Sequence, residues 1–462
     1  MPKGNGSSDL LDRPAHAIAA AIRTGTTTAR DVAELAIARV AARNPALTAI
    51  VDFDPSEARG EADRVDAQRR DGFDGPLLGV PFTVKDTTWV AGRRVTNGSL
   101  VFKDFIPPRD ALCVERLKAA GGVFLGMTNT PEFAAKGHTE NKVYGATRHP
   151  MDPALTPGGS SGGAAAALGA GFSPIAVGTD GGGSGRRPAS HVGAVGLKPS
   201  AGAIPSPFGF GGFYGPLHGV VAPMGRTVAD VRLMFDVMAG PDPRDPVSVA
   251  VLDAHPPKRP RVAYSPRLGL SVAVDPDVRT AVDAAVDRLR AAGWAIELAD
   301  ITWPEGTSET AFSPITQASA VHMYGDVWQR DPDLFGDNVS AMIRSGLKVT
   351  GAEVAAATRL ADKVARAVAE FFTTYDYLLT PTTACVSWPV EQVWPPVIEG
   401  KPASPRGHAV FTPLFNQALV PAISVPCGGG RDGLPVGLQI VAPRLHDRPL
   451  LEMAARAEAV LA

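Results

Sequence analysis

The chain reads Thr156-Pro-Gly-Gly-Ser-Ser-Gly-Gly163 and, shortly afterwards, Gly178-Thr-Asp-Gly-Gly-Gly-Ser-Gly-Arg186, and no other stretch is as dense in glycine and serine. Each segment presents a serine hydroxyl on a backbone that glycine leaves uncrowded. A run of glycines around a serine also directs several backbone N–H groups into one small space, which is how an oxyanion hole is built. The two segments therefore predict a nucleophilic serine beside backbone donors.

A nucleophilic serine needs a base, because its hydroxyl alone is a weak nucleophile. The chain has nine histidines, and those nearest to the serines, His149 and His191, fall in no pattern that marks them as bases. A lysine can serve instead when burial removes its charge. Lys85 ends the apolar, β-branched run Gly79-Val-Pro-Phe-Thr-Val-Lys-Asp86. We therefore expect Lys85 to lie, partly buried, at the end of a strand.

The order of Lys85, the Ser160-Ser161 pair and Ser184 along the chain resembles the amidase signature family of serine hydrolases. The motifs that carry the resemblance span residues 76 to 440, nearly the whole chain. They are Pro76-Leu-Leu-Gly-Val-Pro-Phe-Thr-Val-Lys-Asp86, Pro157-Gly-Gly-Ser-Ser-Gly-Gly163, Gly178-Thr-Asp-Gly-Gly-Gly-Ser184, Gly196-Leu-Lys-Pro199 and Gly433-Leu-Pro-Val-Gly-Leu-Gln439.

The resemblance implies a catalytic triad. Ser184 matches the acylated nucleophile, and Ser160 matches the serine that passes the proton of Ser184 to Lys85. In the family that second serine follows a cis peptide bond, here Gly159–Ser160. The resemblance thus predicts a serine–serine–lysine centre that needs no metal or organic cofactor, and no cluster of His, Asp or Cys in this chain has ligand spacing.

The resemblance also assigns supporting roles around Ser184. The oxyanion hole is expected from four consecutive backbone N–H groups, those of Gly181, Gly182, Gly183 and Ser184. Asp180 and Arg186 are expected to form a structural pair that braces this loop.

Two positions depart from the family pattern. Where the family has a bulky aliphatic residue and a further apolar one, this chain has Gly185 and Arg187. We expect Gly185 to enlarge the acyl pocket for bulky substrates, and we expect the charge of Arg187 to find a partner or water.

Aromatic residues are the candidates for substrate binding. Phe133 and Ala134 end the segment Thr128-Asn-Thr-Pro-Glu-Phe-Ala134, which resembles the family segment that lines the substrate cleft. The stretch Pro207-Phe-Gly-Phe-Gly-Gly-Phe-Tyr-Gly215 interleaves aromatics with glycines. It is either a mobile loop whose aromatic faces contact an apolar acyl or amine group, or a surface loop packed on the core. The residues predicted to bind substrate in this loop are Phe208, Phe210, Phe213 and Tyr214.

The pattern of elements predicts an α/β fold with a large mixed, mostly parallel twisted sheet, covered by helices on both faces. We expect an N-terminal helical segment (1–75) packed on a catalytic core (76–240). A variable lobe (241–410) covers the cleft, and residues 411–462 return to the core sheet and end in a helix. Within the lobe, residues 260–300 are expected to form a separable βαβ-like unit.

Composition excludes several classes of protein. The chain has 462 residues, 45% hydrophobic and 20% charged, with a net charge of −2. This balance does not direct the protein to nucleic acid or to an anionic membrane. Three cysteines, Cys113, Cys385 and Cys427, argue against a disulfide framework, and the start lacks an apolar leader. We expect a cytoplasmic protein, and a homodimer because symmetric dimers are common.

The predicted function is hydrolysis of a C–N bond in an apolar or aryl linear amide or in a carbamate (urethane). Esters share the same tetrahedral geometry. The alternative is the glutamine-hydrolysing subunit of a tRNA-dependent amidotransferase, which carries the same motifs. A nucleotide-binding loop is disfavoured because Gly-Arg-Arg187 stands where a phosphate loop has Gly-Lys-Ser/Thr. A catalytically inert scaffold is disfavoured because all three triad residues are present.

Overall fold

The computed structural model describes residues 10–462 apart from Gly211, Tyr214 and Pro216. Within that part of the chain there are thirteen α-helices: α1 (Ala15–Arg23), α2 (Ala29–Leu47), α3 (Pro55–Arg70), α4 (Leu112–Ala119), α5 (Gly162–Gly169), α6 (Arg186–Val192), α7 (Val228–Met238), α8 (Pro276–Ala291), α9 (Ser313–Arg330), α10 (Asp337–Gly346), α11 (Gly351–Phe371), α12 (Pro413–Gln417) and α13 (Asp447–Leu461).

The same residues form fifteen β-strands: β1 (Ile50–Asp52), β2 (Pro81–Lys85), β3 (Val123–Thr128), β4 (Glu140–Asn141), β5 (Gly145–Ala146), β6 (Ile175–Asp180), β7 (Val195–Lys198), β8 (Val220–Gly225), β9 (Val262–Tyr264), β10 (Ile296–Leu298), β11 (Tyr377–Pro381), β12 (Val397–Ile398), β13 (Lys401–Pro402), β14 (Ala422–Gly429) and β15 (Pro435–Val441).

Eleven of these strands form one sheet in the order β1-β3-β2-β6-β8-β7-β14-β15-β11-β9-β10. The predicted α/β fold with a large mixed sheet is confirmed. The expectation that the sheet is mostly parallel is wrong, because only β3–β2, β2–β6, β11–β9 and β9–β10 pair in parallel among the described strands. The other six neighbouring pairs are antiparallel. One cause is the short connection between β14 and β15, since only antiparallel strands can be joined by a tight hairpin.

The centre of the sheet is covered on both faces. Every residue of β2 and of β3 is buried. Successive side chains of a strand point to opposite faces, so burial of the whole strand requires cover on each side. Helix α5 packs against β2 and β6, and its small residues allow a close approach.

The segment 260–300 forms the predicted strand–helix–strand unit from β9, α8 and β10. It is not separable from the core. Strand β9 is hydrogen-bonded in parallel to β11, and β10 continues the same sheet as its last strand. The main sheet therefore extends into the region expected to be a distinct lobe.

Helix α2 includes a proline near its end. Proline in a helix interior usually breaks the helix, but α2 continues past Pro45 to Leu47. The Asn44 side chain accepts hydrogen bonds from the N–H groups of Ala49 (3.0 Å) and Ile50 (2.9 Å). These contacts fix the chain just after the helix, which ends where Thr48 adopts a left-handed conformation and donates its N–H to the carbonyl of Asn44.

The sheet brings three chain segments to one place. Lys85 is the last residue of β2, as predicted, and Thr179 lies near the end of the neighbouring parallel strand β6. Parallel neighbours present their carboxyl ends at the same sheet edge, where α/β proteins commonly bind ligands. The serine pair Ser160-Ser161 precedes α5, which packs on the same two strands.

Among the described helices, none is both long enough and apolar enough to cross a membrane.

The close packing of α5 predicts contrasting effects of two glycine substitutions. A Cβ at Gly163 would lie 2.3 Å from the backbone nitrogen of Asn129, whereas one at Gly60 in α3 would meet nothing within 4 Å. Gly163→Ala should lower the free energy of unfolding by about 1–3 kcal/mol through overpacking. Gly60→Ala should be neutral or raise it by about 0.5–1 kcal/mol. Urea unfolding followed by circular dichroism measures both, and equal effects would contradict the packing described.

Candidate active site

The Lys85 amine is buried between two hydroxyl groups. Its Nζ lies 2.7 Å from Ser160 Oγ and donates to Thr179 Oγ1 at 2.8 Å. The side chain is inaccessible to solvent. Burial disfavours the charged ammonium and lowers the pKa of Lys85 to about 7, with a smaller lowering by Arg187 and an opposing effect of Asp180. A lysine in this state can hold or accept a proton near neutral pH.

Ser160 is presented by a tightly bonded turn. The peptide bond Gly159–Ser160 is cis, as the family resemblance predicted. Thr139 Oγ1 donates to the carbonyl of Gly158 at 2.8 Å and accepts from the N–H of Gly162 at 3.1 Å. The threonine therefore holds both sides of this turn. Nothing in the sequence marked Thr139, because it precedes the turn by about twenty residues and belongs to no motif quoted above.

Ser184 lies on the turn between β6 and α6. The N–H of Ser161 donates to the backbone carbonyl of Ser184 at 3.1 Å, so the two serine loops are in direct contact. Ser184 is buried, with 8% of its surface exposed. Gly183, just before it, has φ +108°, and a Cβ there would lie 2.1 Å from Thr412 Oγ1. The turn that presents Ser184 therefore requires glycine at this position.

The N–H groups expected to form the oxyanion hole differ in whether they already have a hydrogen-bond acceptor. Gly183 N–H donates to Asp180 Oδ1 at 2.7 Å. This bond corrects the prediction at Gly183, since its single N–H already has an acceptor. Within the described part of the chain, the N–H groups of Gly181, Gly182 and Ser184 have no hydrogen-bond acceptor.

Asp180 and Arg186 form a buried ion pair at 2.9 Å, with both side chains inaccessible to solvent. Burial alone acts to raise the pKa of Asp180, but the Arg186 guanidinium and the hydrogen bonds to the carboxylate hold that pKa well below its usual range. The Asp180 carboxylate also accepts from the N–H groups of Gly183 and Gly185. It therefore fixes the turn that carries Ser184, which is the role expected of the pair.

Residues from the C-terminal part of the chain complete this network. Arg186 Nη1 donates to Gln439 Oε1 at 2.7 Å, and Asn416 Nδ2 donates to the Asp180 carboxylate at 3.0 Å. Thr412 Oγ1 donates to the carbonyl of Gly182 at 2.8 Å. Gln439 ends one of the family motifs given above, so the sequence could have indicated that it belongs to the site. Thr412 and Asn416 carried no signal, because only folding brings them beside residues 180–186.

The histidines nearest to the serines do not serve as bases here. His149 Nε2 is hydrogen-bonded to the backbone carbonyl of His191 at 2.8 Å. Burial lowers the pKa of His191 to about 3. Within the described residues, no group of three or more His, Cys, Asp or Glu side chains is placed to hold a metal ion.

Gly185 faces the protein interior. A Cβ at Gly185 would lie 2.7 Å from the Cβ of the buried Ala222 in β8. The expectation that Gly185 enlarges the acyl pocket is therefore wrong, because the missing side chain leaves room for Ala222 instead.

Most of the candidate aromatic residues pack against one another. Phe133 stacks on Tyr324 of α9, with ring centroids 4.2 Å apart, and Phe213 is 6.0 Å from each of these two rings. Both phenylalanines are nearly inaccessible, and Ala134 beside them is partly exposed. Backbone hydrogen bonds through Asn97 connect Phe133 to the residue after Lys85. This cluster therefore adjoins the strand end that carries the lysine.

Phe210 adjoins this cluster through Phe102, whose ring lies 6.3 Å from Phe133 and 6.2 Å from Tyr324, whereas Phe208 contacts an arginine. Phe210 packs on Phe102 (4.5 Å) and Phe105 (5.3 Å), and the guanidinium of Arg109 lies over the ring of Phe208 at 4.8 Å. Phe210 and Phe213 thus match the alternative of a loop packed on the core. Tyr214 lies outside the described residues.

Comparison with known proteins agrees with this geometry. A family model described as Amidase matches residues 31–451. An acylamidase of Rhodococcus erythropolis is 39% identical over 456 residues, which cover 96% of this chain and 94% of that protein. A protein of a Synechococcus strain, named as one of the subunits of glutamyl-tRNA(Gln) amidotransferase, is 36% identical over 471 residues, covering 94% of each chain.

Among solved structures, a bacterial aryl acylamidase of the amidase signature family superposes with a TM-score of 0.87 at 27% identity, covering 97% of this chain and 96% of that one. The fold and these relatives define an amide-hydrolysing enzyme. The chain belongs to the amidase signature family.

The contact between Gly185 and Ala222 predicts a coupled pair of substitutions. Gly185→Ala should lower the free energy of unfolding by about 1–3 kcal/mol. In an Ala222→Gly background the same change should cost less, because the clashing methyl group is gone. The ratio of rates on a small and a bulky amide should stay unchanged in Gly185→Ala. Additive stability effects, or a changed rate ratio, would show that Gly185 faces the cleft after all.

Proposed function

We propose that this enzyme hydrolyses amides through an acyl-enzyme on Ser184, with Ser160 as proton relay and Lys85 as base. The observation that carries the proposal is the buried Lys85 amine, 2.7 Å from Ser160 Oγ. A neutral amine has one lone pair, and its N–H bond to Thr179 Oγ1 leaves that lone pair for Ser160. Ser160 in turn precedes Ser161, whose N–H binds the Ser184 carbonyl.

Acylation follows from this arrangement. Ser184 Oγ attacks the substrate carbonyl carbon, its proton passes to Ser160 Oγ, and the Ser160 proton passes to Lys85 Nζ. The N–H groups of Gly181, Gly182 and Ser184 then hold the oxyanion, because they have no acceptor among the described residues. When the C–N bond breaks, the proton returns through Ser160 to the amine nitrogen. An amine leaves poorly unless it is protonated, so the relay acts in departure as well as in attack.

Deacylation uses the same groups in the same order. Water attacks the ester carbonyl on Ser184 and gives its proton, through Ser160, to Lys85. The tetrahedral intermediate collapses, the carbon–oxygen bond to Ser184 breaks, and Ser184 Oγ regains the proton. The carboxylic acid leaves, and the enzyme returns to its starting state.

We assign apolar or aryl linear amides as the substrate class, with carbamates and esters as substrates of the same chemistry. The aromatic cluster of Phe133, Phe213 and Tyr324 supports this assignment, because it is an apolar group that backbone hydrogen bonds through Asn97 connect to the residue after Lys85. Relatives named acylamidase and aryl acylamidase support it as well.

The second candidate is a glutamine-hydrolysing subunit of a tRNA-dependent amidotransferase. It is supported by the relative that is named for such an amidotransferase, at 36% identity. That function would require a small polar substrate beside the aromatic cluster, which makes it the weaker of the two.

Localisation, oligomeric state and the cover of the cleft are also part of the proposal. We infer a cytoplasmic homodimer that acts on a small-molecule substrate without nucleic acid, membrane, metal or organic cofactor. Residues 76–240 hold the triad, and helices α9 and α10 of the 241–410 region cover one side of the cleft. The bond from Gly336 N–H to Glu132 Oε2 (2.8 Å), next to Phe133, supports that placement.

A four-substrate panel tests the substrate class. The wild type should release amine from 4-nitroacetanilide and from an aryl carbamate faster than ammonia from a primary amide or glutamine. Ser184→Ala should lower the anilide rate by about 10³-fold or more. Ser56→Ala, at an exposed serine of α3, is the matched control and should leave the rates unchanged. Turnover confined to glutamine would favour the amidotransferase function, and activity retained by Ser184→Ala would reject the nucleophile.

The pKa of Lys85 predicts the pH dependence of hydrolysis. Only the neutral amine accepts the Ser160 proton, so kcat/KM should rise with pH and reach half its plateau near pH 7, the pKa of Lys85. Lys85→Met should lower kcat/KM by about 10²–10⁴-fold and abolish this rise. The matched control is Lys198→Met, which removes another buried lysine whose pKa is lowered, chiefly by burial, to about 7. If Lys198→Met moved the midpoint and Lys85→Met did not, Lys85 would not be the base.

A further inference from the structure

Arg187 lies in the first turn of α6, three residues after Ser184, and it is buried with 4% of its surface exposed. Its Nε donates to the carbonyl of Gly183 at 3.3 Å, and its Nη2 donates to the carbonyl of Gly159 at 3.5 Å. Gly183 directly precedes Ser184, and Gly159 directly precedes Ser160. One guanidinium therefore contacts the peptide carbonyl before each of the two serines.

We propose that Arg187 is a positioning residue for the reaction, which joins the two serine loops through these carbonyls and places a fixed positive charge next to Ser160, the hydrogen-bond partner of the Lys85 amine. The inference rests on the proposed function of Lys85, Ser160 and Ser184. It concerns a position where the family resemblance predicts an apolar residue and this chain has an arginine.

The geometry of the side chain suits a bridge. A guanidinium presents its N–H groups in a rigid planar fork, whereas an ammonium is a single point donor on a flexible stem. Carbonyl dipoles reduce the cost of burying the charge. The bare α-carbon of Gly183 admits the side chain, because a Cβ there would lie 2.9 Å from Arg187 Nε. The carbonyl of Gly183 also accepts from the Arg187 N–H at 2.8 Å.

The charge of Arg187 acts on Lys85 together with one opposing group. The charged groups that face Lys85 are Asp180, which raises its pKa, and Arg187, which lowers it. The charge of Asp180 is matched by Arg186. Asp86, the next residue in the chain, is itself buried, and burial raises its pKa to about 7.

Three titratable groups that interact with Arg187 are uncharged at neutral pH. Burial, with a smaller contribution from Arg187 itself, lowers the pKa of both His191 and His408, so these imidazoles are neutral at neutral pH. Burial raises the pKa of the Cys385 thiol, which stays uncharged. Because the charge of Arg187 lowers the pKa of Lys85, removing that charge should make the ammonium form of Lys85 easier to form.

Two variants separate the effect of the positive charge from that of the hydrogen bonds to the two carbonyls. Arg187→Lys keeps a cation but loses the planar guanidinium that contacts both carbonyls, and Arg187→Met loses the cation as well. The control is Arg116→Met, at another partly buried arginine, whose Nη1 donates to the carbonyls of Met238 (2.6 Å) and Gly240 (3.0 Å) and whose Nη2 pairs with Asp242 (3.5 Å). It reports the effect of losing an arginine–carbonyl contact as such.

The readout is the second-order rate of Ser184 labelling by a fluorophosphonate, measured from pH 5.5 to 9.5 beside 4-nitroacetanilide hydrolysis. In labelling, Ser184 Oγ displaces fluoride from phosphorus and its proton leaves through Ser160, so the probe reports activation of the serine whatever the amide substrate is. Intact-mass spectrometry counts labelled sites, which corrects each rate for the folded fraction.

In Arg187→Met, the midpoint of the acid limb should move upward by about one pH unit. Its plateau rate at high pH should also fall, about tenfold, because the loops lose their link. Arg187→Lys should restore the midpoint but not the plateau. Arg116→Met should change neither.

Three results would overturn the inference. The first is an Arg187→Met variant with an unmoved midpoint and a full plateau. The second is a uniform loss of rate in both Arg187 variants with the midpoint unmoved, which is what a purely structural role predicts. The third is a wild type that the fluorophosphonate does not label, since the serine activation would then be absent. A labelled wild type that leaves all amides intact would instead reject the proposed function and leave this test valid.

Discussion

The structure depends on the burial of one amine. Lys85 Nζ lies between the hydroxyls of Ser160 and Thr179 and has no access to solvent. An ammonium taken out of water costs several kcal/mol unless an opposite charge compensates it, so burial lowers the pKa of Lys85 to about 7 and the neutral form is abundant at neutral pH. The adjacency of β2 and β6 creates this setting, because it places Lys85 and Thr179 on neighbouring strand ends. A solvated lysine at the same strand end would stay charged and could not serve as a base.

A second buried group fixes the position of the Ser184 turn relative to that amine. The Asp180 carboxylate binds the turn around Ser184, and Arg186 holds the carboxylate in its ionised form. Arg186 also reaches Gln439 on β15 and the carbonyl of Thr412. The turn is therefore anchored to segments far away in sequence. Buried charges of this kind persist only when they are paired and hydrogen-bonded, and each member of this network meets that condition.

Local chemistry made much of the site predictable. An apolar run ending in Lys85, and glycines flanking each serine, indicated a buried base and two bare-backbone turns from the sequence alone. The motif resemblance added the cis peptide bond and the Asp180–Arg186 pair. What sequence could not supply were partners set by tertiary contact. Thr139, Thr412 and Asn416 carry no local signal. The inward direction of Gly185 and the packing of Phe210 on Phe102 depend on which residues fold against them, and strand direction depends on connections between distant strands.

The most direct test of the account is the titration of Lys85 in the resting enzyme. Protein labelled with ¹³C at the lysine ε-carbons would be followed by NMR from pH 5 to 11, and the Lys85 and Lys198 signals would be assigned by their loss in the respective methionine variants. The account predicts that the Lys85 signal titrates near pH 7 and that the surface lysines titrate near the ordinary value of about 10.4. A Lys85 signal that titrates with the surface lysines would mean a charged lysine at neutral pH. It would contradict the lysine-based activation of Ser184.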